Sequence, residues 1–224
     1  MHKLKTILNN IAICVSEKLK SAEGGHDWFH ISRVLNNASI IAESIPASNK
    51  DIITLAALLH DIGDAKFHNG NEDIGPTMAE KIMFEKGVPE NILKEVILII
   101  QNISFRDSYT SSEYHSIEFD IVQDADRLDA IGAIGIARAF NYGGFKNRKM
   151  YDPEILPVEY KDKESYQRST APTINHFYEK LFQLKDAMKT SKGREMAEER
   201  HQFMMDYLHR FFKESGIEPF NNQL

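Results

Sequence analysis

The sequence predicts an all-α protein. Apolar residues recur at helical spacing through most of the 224 residues, and the breaks between these stretches carry glycine, proline or a capping side chain. No segment shows sustained apolar–polar alternation bounded by turn residues, so no sheet is expected. Hydrophobic residues at 42% and charged residues at 27% are soluble-globular proportions. A chain of this length buries roughly 70% of its unfolded surface, which is enough for one core. We therefore expect a single helical domain over 1–224, with its chemistry at 20–140, a long loop at 141–169 and two C-terminal helices within 172–214.

In the first helix, Leu4, Ile7, Leu8, Ile11, Val15 and Leu19 mark one apolar face. Gly24-Gly25 form a joint, and Asp27 is placed to cap a second helix running to Ser44, closed by Pro46. The third starts near Asp51 and is apolar on almost every side from Ile52 to Ile62, which predicts a central, buried position. Gly63 follows where a helix end favours glycine. Pro76 suits the first turn of a helix ending at Lys86-Gly87, and Pro89 begins another that runs to Ile103. From Ile117 to Phe140 the pattern is helical again, with Gly132 and Gly135 signalling close packing or a break. Residues 172–190 and 192–214 give the last two helices. The segment 141–169, with Gly143-Gly144, Pro153, Pro157 and many charges, is long for a loop in a compact domain, and such loops are usually functional or disordered.

The charge balance, 27 Lys+Arg against 33 Asp+Glu for a net −6, argues against stable nucleic-acid binding, which needs a basic field. It leaves a nucleotide substrate open. The single cysteine, Cys14, excludes an internal disulfide and a cysteine-based zinc site, and fits a reducing compartment. Asn9 and Asn10 interrupt the apolar run behind Lys3 and Lys5, and no cleavage site follows, so this segment reads as a core helix and not a signal peptide. With no apolar stretch of about 18 residues, no membrane span is expected, and the protein is expected in the cytoplasm.

Nine histidines are present, and two of the three polar clusters contain them: His26-Asp27-Trp28-Phe29-His30, His60-Asp61-Ile62-Gly63-Asp64 and Asp124-Ala125-Asp126-Arg127-Leu128-Asp129. The second cluster ends an otherwise apolar helix, where a buried carboxylate is costly unless a cation or partner is near. His60 and Asp61 can share one ion if further ligands arrive from other helices, and His30 and an aspartate of the third cluster are the candidates. Two imidazoles with two carboxylates suit a divalent ion without thiol preference.

His30, then His60-Asp61, then Asp126 within Ala125-Asp126-Arg127-Leu128, 30 and then 65 residues apart, resemble the ordered H…HD…D signature of the HD-domain metal-dependent phosphohydrolases. The flanking sequences His26–Val34, Leu58–Lys66 and Gln123–Gly135 resemble a bacterial subgroup similar to nucleotide pyrophosphohydrolases. The resemblance covers nearly the whole chain. It implies an HD-domain helical bundle and one divalent ion, Mn, Mg, Fe, Ni or Zn with manganese placed first, held by His30, His60, Asp61 and Asp126. Asp124 is the alternative to Asp126. The two lie about 200° apart around a helix and cannot both face the ion; the family context favours Asp126.

An ion so held would acidify a water and neutralise a phosphoryl oxygen. Related enzymes use an acid three residues after the HD dipeptide, which implies Asp64 as the catalytic residue that orients or deprotonates that water. Arg33, one turn beyond His30, is placed to reach a phosphate oxygen. Lys66, Arg127, Arg138 and Arg148, with His26 and Asp27, complete the expected substrate-binding set. Tyr142, Phe145 and Tyr151 could stack on a base, and the loop 141–169 could form a lid. The expected reaction is hydrolysis of a small nucleotide, nucleoside triphosphate to monophosphate and pyrophosphate. The same site also admits a phosphomonoesterase, a cyclic-nucleotide phosphodiesterase or a nucleotide-sensing module without turnover. The sequence is compatible with a homodimer.

Overall fold

The computed structural model describes residues 2–20, 27–63, 71, 73–103, 114–160, 165, 168–218 and 220. Among these residues the ordered elements are all helical, and no helix is long and apolar enough to cross a membrane. The chain divides into two compact units, Met1–Asp126 and Arg127–Leu224.

In the first unit, α3 (Lys50–Leu59) is the centre, with Ile52, Ile53 and Leu55 to Leu59 buried. α1 (His2–Lys18), α2 (Trp28–Glu43) and α5 (Glu90–Asn102) pack against it, and α4 (Ile74–Glu85) packs on α5. A short helix apolar all round is stable only when enclosed in this way. α3 begins one residue before Asp51 because Asn49 is its cap. The Asn49 side-chain oxygen accepts from the amides of Asp51 at 3.1 Å and Ile52 at 3.4 Å.

The last helix of this unit, α6 (Ile117–Asp129), runs three residues into the second. Two hydrogen bonds fix it within the first unit. A Glu118 carboxylate oxygen accepts from the Asn49 amide at 2.8 Å, and buried Asn37 on α2 donates its side-chain amide to the Ala125 carbonyl at 3.1 Å.

In the second unit, α7 (Gly132–Phe145) packs along α9 (Ser191–Ser215), and a short α8 (Asn175–Glu179) packs on a 3₁₀ turn, Leu181–Leu184. The helical pattern from Ile117 to Phe140 is therefore two helices. At the break the chain folds so tightly that a Cβ on Gly135 would stand 2.2 Å from the Ala130 carbonyl oxygen. The expected loop starts five residues late, because α7 continues to Phe145. Gly143 lies within that helix, at a point where Thr173 Oγ1 occupies the place of a Cβ, 2.1 Å away. The glycine pair reflects close packing as much as a turn. The expected helix over 172–190 is interrupted at Lys180, whose φ of −145° leaves the helical region. α9 matches its expected span within a residue at each end, capped by Thr190 accepting from Gly193 N at 3.0 Å and ended by Gly216 at φ 66°.

Two outcomes follow from these supports. Asn37→Ala leaves a buried carbonyl short of a donor and is expected to lower unfolding stability in urea by about 1–2 kcal/mol. His176 on α8 is pushed down to about 3, chiefly by burial and then by the Lys180 and Arg148 charges. The unfolded chain, with an imidazole near its ordinary 6.5, binds the proton first. Stability is full above about pH 6.5 and falls on acidification toward pH 3, by about 2 kcal/mol at pH 5. His176→Gln should flatten that part of the acid limb in denaturant titrations at successive pH values.

Candidate metal centre

Helix ends from three different places in the first unit converge on one point. His30 is the third residue of α2, on the same buried face as Ile31, Val34 and Ala38. Asp27 accepts its backbone N–H at 2.9 Å, so the expected cap is formed and fixes where that turn begins. His60 caps the C-terminal end of α3, its own amide still bonded to the Ala56 carbonyl at 2.9 Å. Asp61 is the next residue, and Asp126 projects from α6.

His60 Nδ1 lies 3.0 Å from the Ala57 carbonyl oxygen. A carbonyl can only accept, so in the neutral ring this contact places the proton on Nδ1 and leaves Nε2 with the lone pair, the tautomer a metal ligand requires. This support comes from a backbone atom, and no residue type in the sequence could announce it.

His30 Nε2 is 3.3 Å from His60 Nε2, 3.4 Å from an Asp61 carboxylate oxygen and 3.5 Å from one of Asp126. From His60 Nε2 the same two oxygens are 3.8 and 3.7 Å away. The ring planes are inclined at 63°, edge to face, so the nitrogens approach without stacking. Ligand atoms on one ion at about 2.1 Å stand about 3.0 Å apart when adjacent in an octahedron and about 3.4 Å in a tetrahedron. The observed spacings are close to both, and two imidazoles with carboxylates suit a divalent cation. Among the described residues, His30, His60 and Asp126 form the group whose ligand atoms all lie within 4.8 Å of one another.

Electrostatics balance the cluster. Burial disfavours the imidazolium of His60, but the Asp61 and Asp126 carboxylates outweigh that, and its pKa lies above the ordinary histidine value. For Asp126 burial acts upward, and attraction to His60 and His30 holds it below the usual carboxylate range. The pocket thus favours positive charge among its carboxylates, which a divalent ion would supply.

Of the two aspartates open in the sequence, Asp126 reaches the histidines, while Asp124 is wholly buried elsewhere on α6. Asp64, Lys66 and His26 lie outside the described residues. Arg33 is half-buried on α2. In the second unit the expected phosphate-binding arginines have protein acceptors: Arg127 donates to the Ala187 carbonyl at 2.6 Å, and Arg148 to that of Ser169 at 2.6 Å. Arg138 donates to a carboxylate oxygen of Asp129 at 2.7 Å and to its carbonyl at 3.2 Å. Asp129 is 1% exposed, and Arg200 adds a hydrogen bond to the Leu128 carbonyl. Sequence reading missed this knot, since nothing along the chain links positions 129, 138 and 200. Tyr151, offered to a base, is packed edge-on against Phe212, centroids 5.1 Å apart, and its hydroxyl donates to the Glu218 carbonyl at 3.1 Å.

Replacing Asp126 by Asn keeps the shape and removes one charge, so we expect divalent-metal affinity to fall at least about tenfold by calorimetric titration. Asp124→Asn should instead act mainly on stability, read as a lower Tm with metal still bound.

Comparison with known proteins agrees with this geometry. A profile of the HD domain matches residues 28–131, a span that contains all four converging side chains. The chain is 39% identical over 201 residues to the Bacillus subtilis protein YpgQ, covering 89% of each. It is similar to a crystal structure of an HD-superfamily hydrolase from Bacillus thuringiensis, with 40% identity, a TM-score of 0.76, and coverage of 96% of this chain and 100% of that one. It is also similar to Bacillus subtilis YpgQ solved in complex with ADP, with 34% identity, a TM-score of 0.74, and coverage of 95% and 96%. The likeness thus extends well beyond the four motif positions, and the chain belongs to the HD-domain superfamily of phosphohydrolases.

Proposed function

We propose that the protein hydrolyses a phosphoanhydride of a small nucleotide, converting a nucleoside triphosphate to the monophosphate and pyrophosphate. The observation that carries the hydrolytic part is that His30 Nε2 and His60 Nε2 lie 3.3 Å apart, with carboxylate oxygens of Asp61 and Asp126 3.4 to 3.8 Å from them. The nucleotide part is supported by the similar YpgQ, whose structure holds ADP.

His30, His60, Asp61 and Asp126 would hold the divalent ion, manganese being the first to try. When bound, such an ion lowers the pKa of a water and withdraws charge from a phosphoryl oxygen. The chain's own residues supply the rest. Water attacks the α-phosphorus, the bond from that phosphorus to the bridging oxygen breaks, and pyrophosphate leaves with the bond's electron pair. Asp64 takes the proton lost by the attacking water. Arg33, on the helix that carries His30, and Lys66, just beyond the HD dipeptide, pair with the phosphate oxygens. Asp27 contributes through the helix end it caps.

The test is turnover by the metal-reconstituted protein of a panel of nucleoside di- and triphosphates in ¹⁸O-labelled water, with products resolved by mass. Monophosphate carrying one label, together with unlabelled pyrophosphate, is expected. Release of orthophosphate alone would overturn the assignment of the bond cleaved. Asp61→Ala should remove both bound metal and activity. Asp64→Asn should retain metal and lower kcat about 10²-fold or more.

A further inference from the structure

We infer that the second unit contains a polyphosphate-binding cleft of its own, at the C-terminal end of α7, suited to the phosphate chain of a pyrophosphate or a nucleotide. The cleft has a volume of about 460 Å³, large for a single ion and adequate for a phosphate chain. Its described lining brings together Lys146, Arg148, Lys149 and Arg168 and includes no carboxylate, while Asp152 beside Lys149 and Glu179 facing Arg148 offset part of that charge from outside it. In a chain of net charge −6, a concave surface with four cations in its described lining is a local reversal of the field, and it favours an anion.

The backbone explains how the cations come together. α7 ends with Asn147 in the left-handed region at φ 53°, the Asn147 amide bonded to the Gly144 carbonyl at 3.0 Å and the Arg148 amide to that of Gly143 at 2.8 Å. This reversal is a common helix ending. Here it folds 146–149 back over the last turn.

Three of the cations are then held in ways that keep their charge. Lys146 Nζ lies 5.7 Å from the Tyr142 ring centre and 5.2 Å from that of Phe145. The Arg148 guanidinium lies 5.5 Å from the same tyrosine ring, steadied by the Ser169 carbonyl. Lys149 is ion-paired with Asp152 at 2.6 Å. Two cations over one ring repel each other, and a bridging phosphate chain would relieve that repulsion. An arginine fork anchored at one nitrogen keeps further N–H groups for bidentate phosphate contacts. The cleft therefore selects for polyphosphate charge, and its proposed ligand binds whether or not the metal centre turns over.

The experiment uses the full chain with chelator present, so that hydrolysis is silent, and titrates it calorimetrically with inorganic pyrophosphate and, separately, with ADP. Lys146→Glu and Arg168→Glu alter exposed side chains, and an unchanged Tm establishes that each variant is folded. Each is expected to weaken pyrophosphate binding at least tenfold, while Asp61→Ala leaves it within twofold. Equal binding of pyrophosphate and ADP assigns the cleft to the phosphate chain alone. Tighter ADP binding that is still lost in both variants assigns it to the nucleotide's phosphate chain. Pyrophosphate affinity unaffected by either charge reversal, or lost only in Asp61→Ala, overturns the inference. Failure of the metal-reconstituted wild type to hydrolyse any nucleotide, with pyrophosphate binding intact in chelator, would count against the proposed function and leave the cleft standing.

Discussion

Holding two imidazole nitrogens 3.3 Å apart, with carboxylate oxygens of Asp61 and Asp126 within 3.8 Å of them, is the constraint that organises the first unit. Such a cluster inside an apolar framework is unfavourable for any isolated segment, because each polar group must give up water. It persists because each member of the cluster lies on, or directly after, a helix packed into the core. α3 is enclosed by α1, α2 and α5, so its end cannot drift. Asp27 fixes the first turn of α2, and Asn37 joins α2 to α6 one residue before Asp126. The hydrophobic core supplies the rigidity, and a few polar bonds direct it to one place.

The cations of the second unit follow a different logic. An arginine near a phosphate site is readily assigned to substrate, yet Arg127, Arg138 and Arg200 donate to carbonyls or to a buried carboxylate near helix ends. A guanidinium is well suited to this work, since its planar fork can satisfy a free carbonyl while its charge offsets a buried acid. The same side chain serves structure or substrate according to whether a carbonyl lies within reach. Arg148 has both a carbonyl and a cleft.

Much of this was legible along the chain, and the reasons are physical. The central helix could be read because α3 is apolar on all sides, and the H…HD…D order picks out residues that the fold brings together from positions far apart in sequence. What the sequence left open was mostly backbone. Whether Gly143-Gly144 ended α7 depended on Thr173, thirty residues away, approaching the helix. The break after Asp129 turned on how closely Ala130 meets Gly135. The choice between Asp124 and Asp126 is a matter of rotation about α6, which spacing constrains but does not determine. The proton on His60 depends on the Ala57 carbonyl, an atom common to every residue type.

The Asp129 knot bears on how such a chain can diverge. Loss of Arg138 alone leaves a carboxylate that is 1% exposed without its 2.7 Å partner, and loss of the Asp129 carboxylate alone leaves a half-buried guanidinium without that counter-charge. Either single step is costly, whereas a joint replacement by well-packed apolar residues can be nearly neutral. Positions 129 and 138 are therefore expected to change together among descendants of this sequence, with 200 adjusting in concert. Inheritance would treat three residues spread over seventy positions as one character.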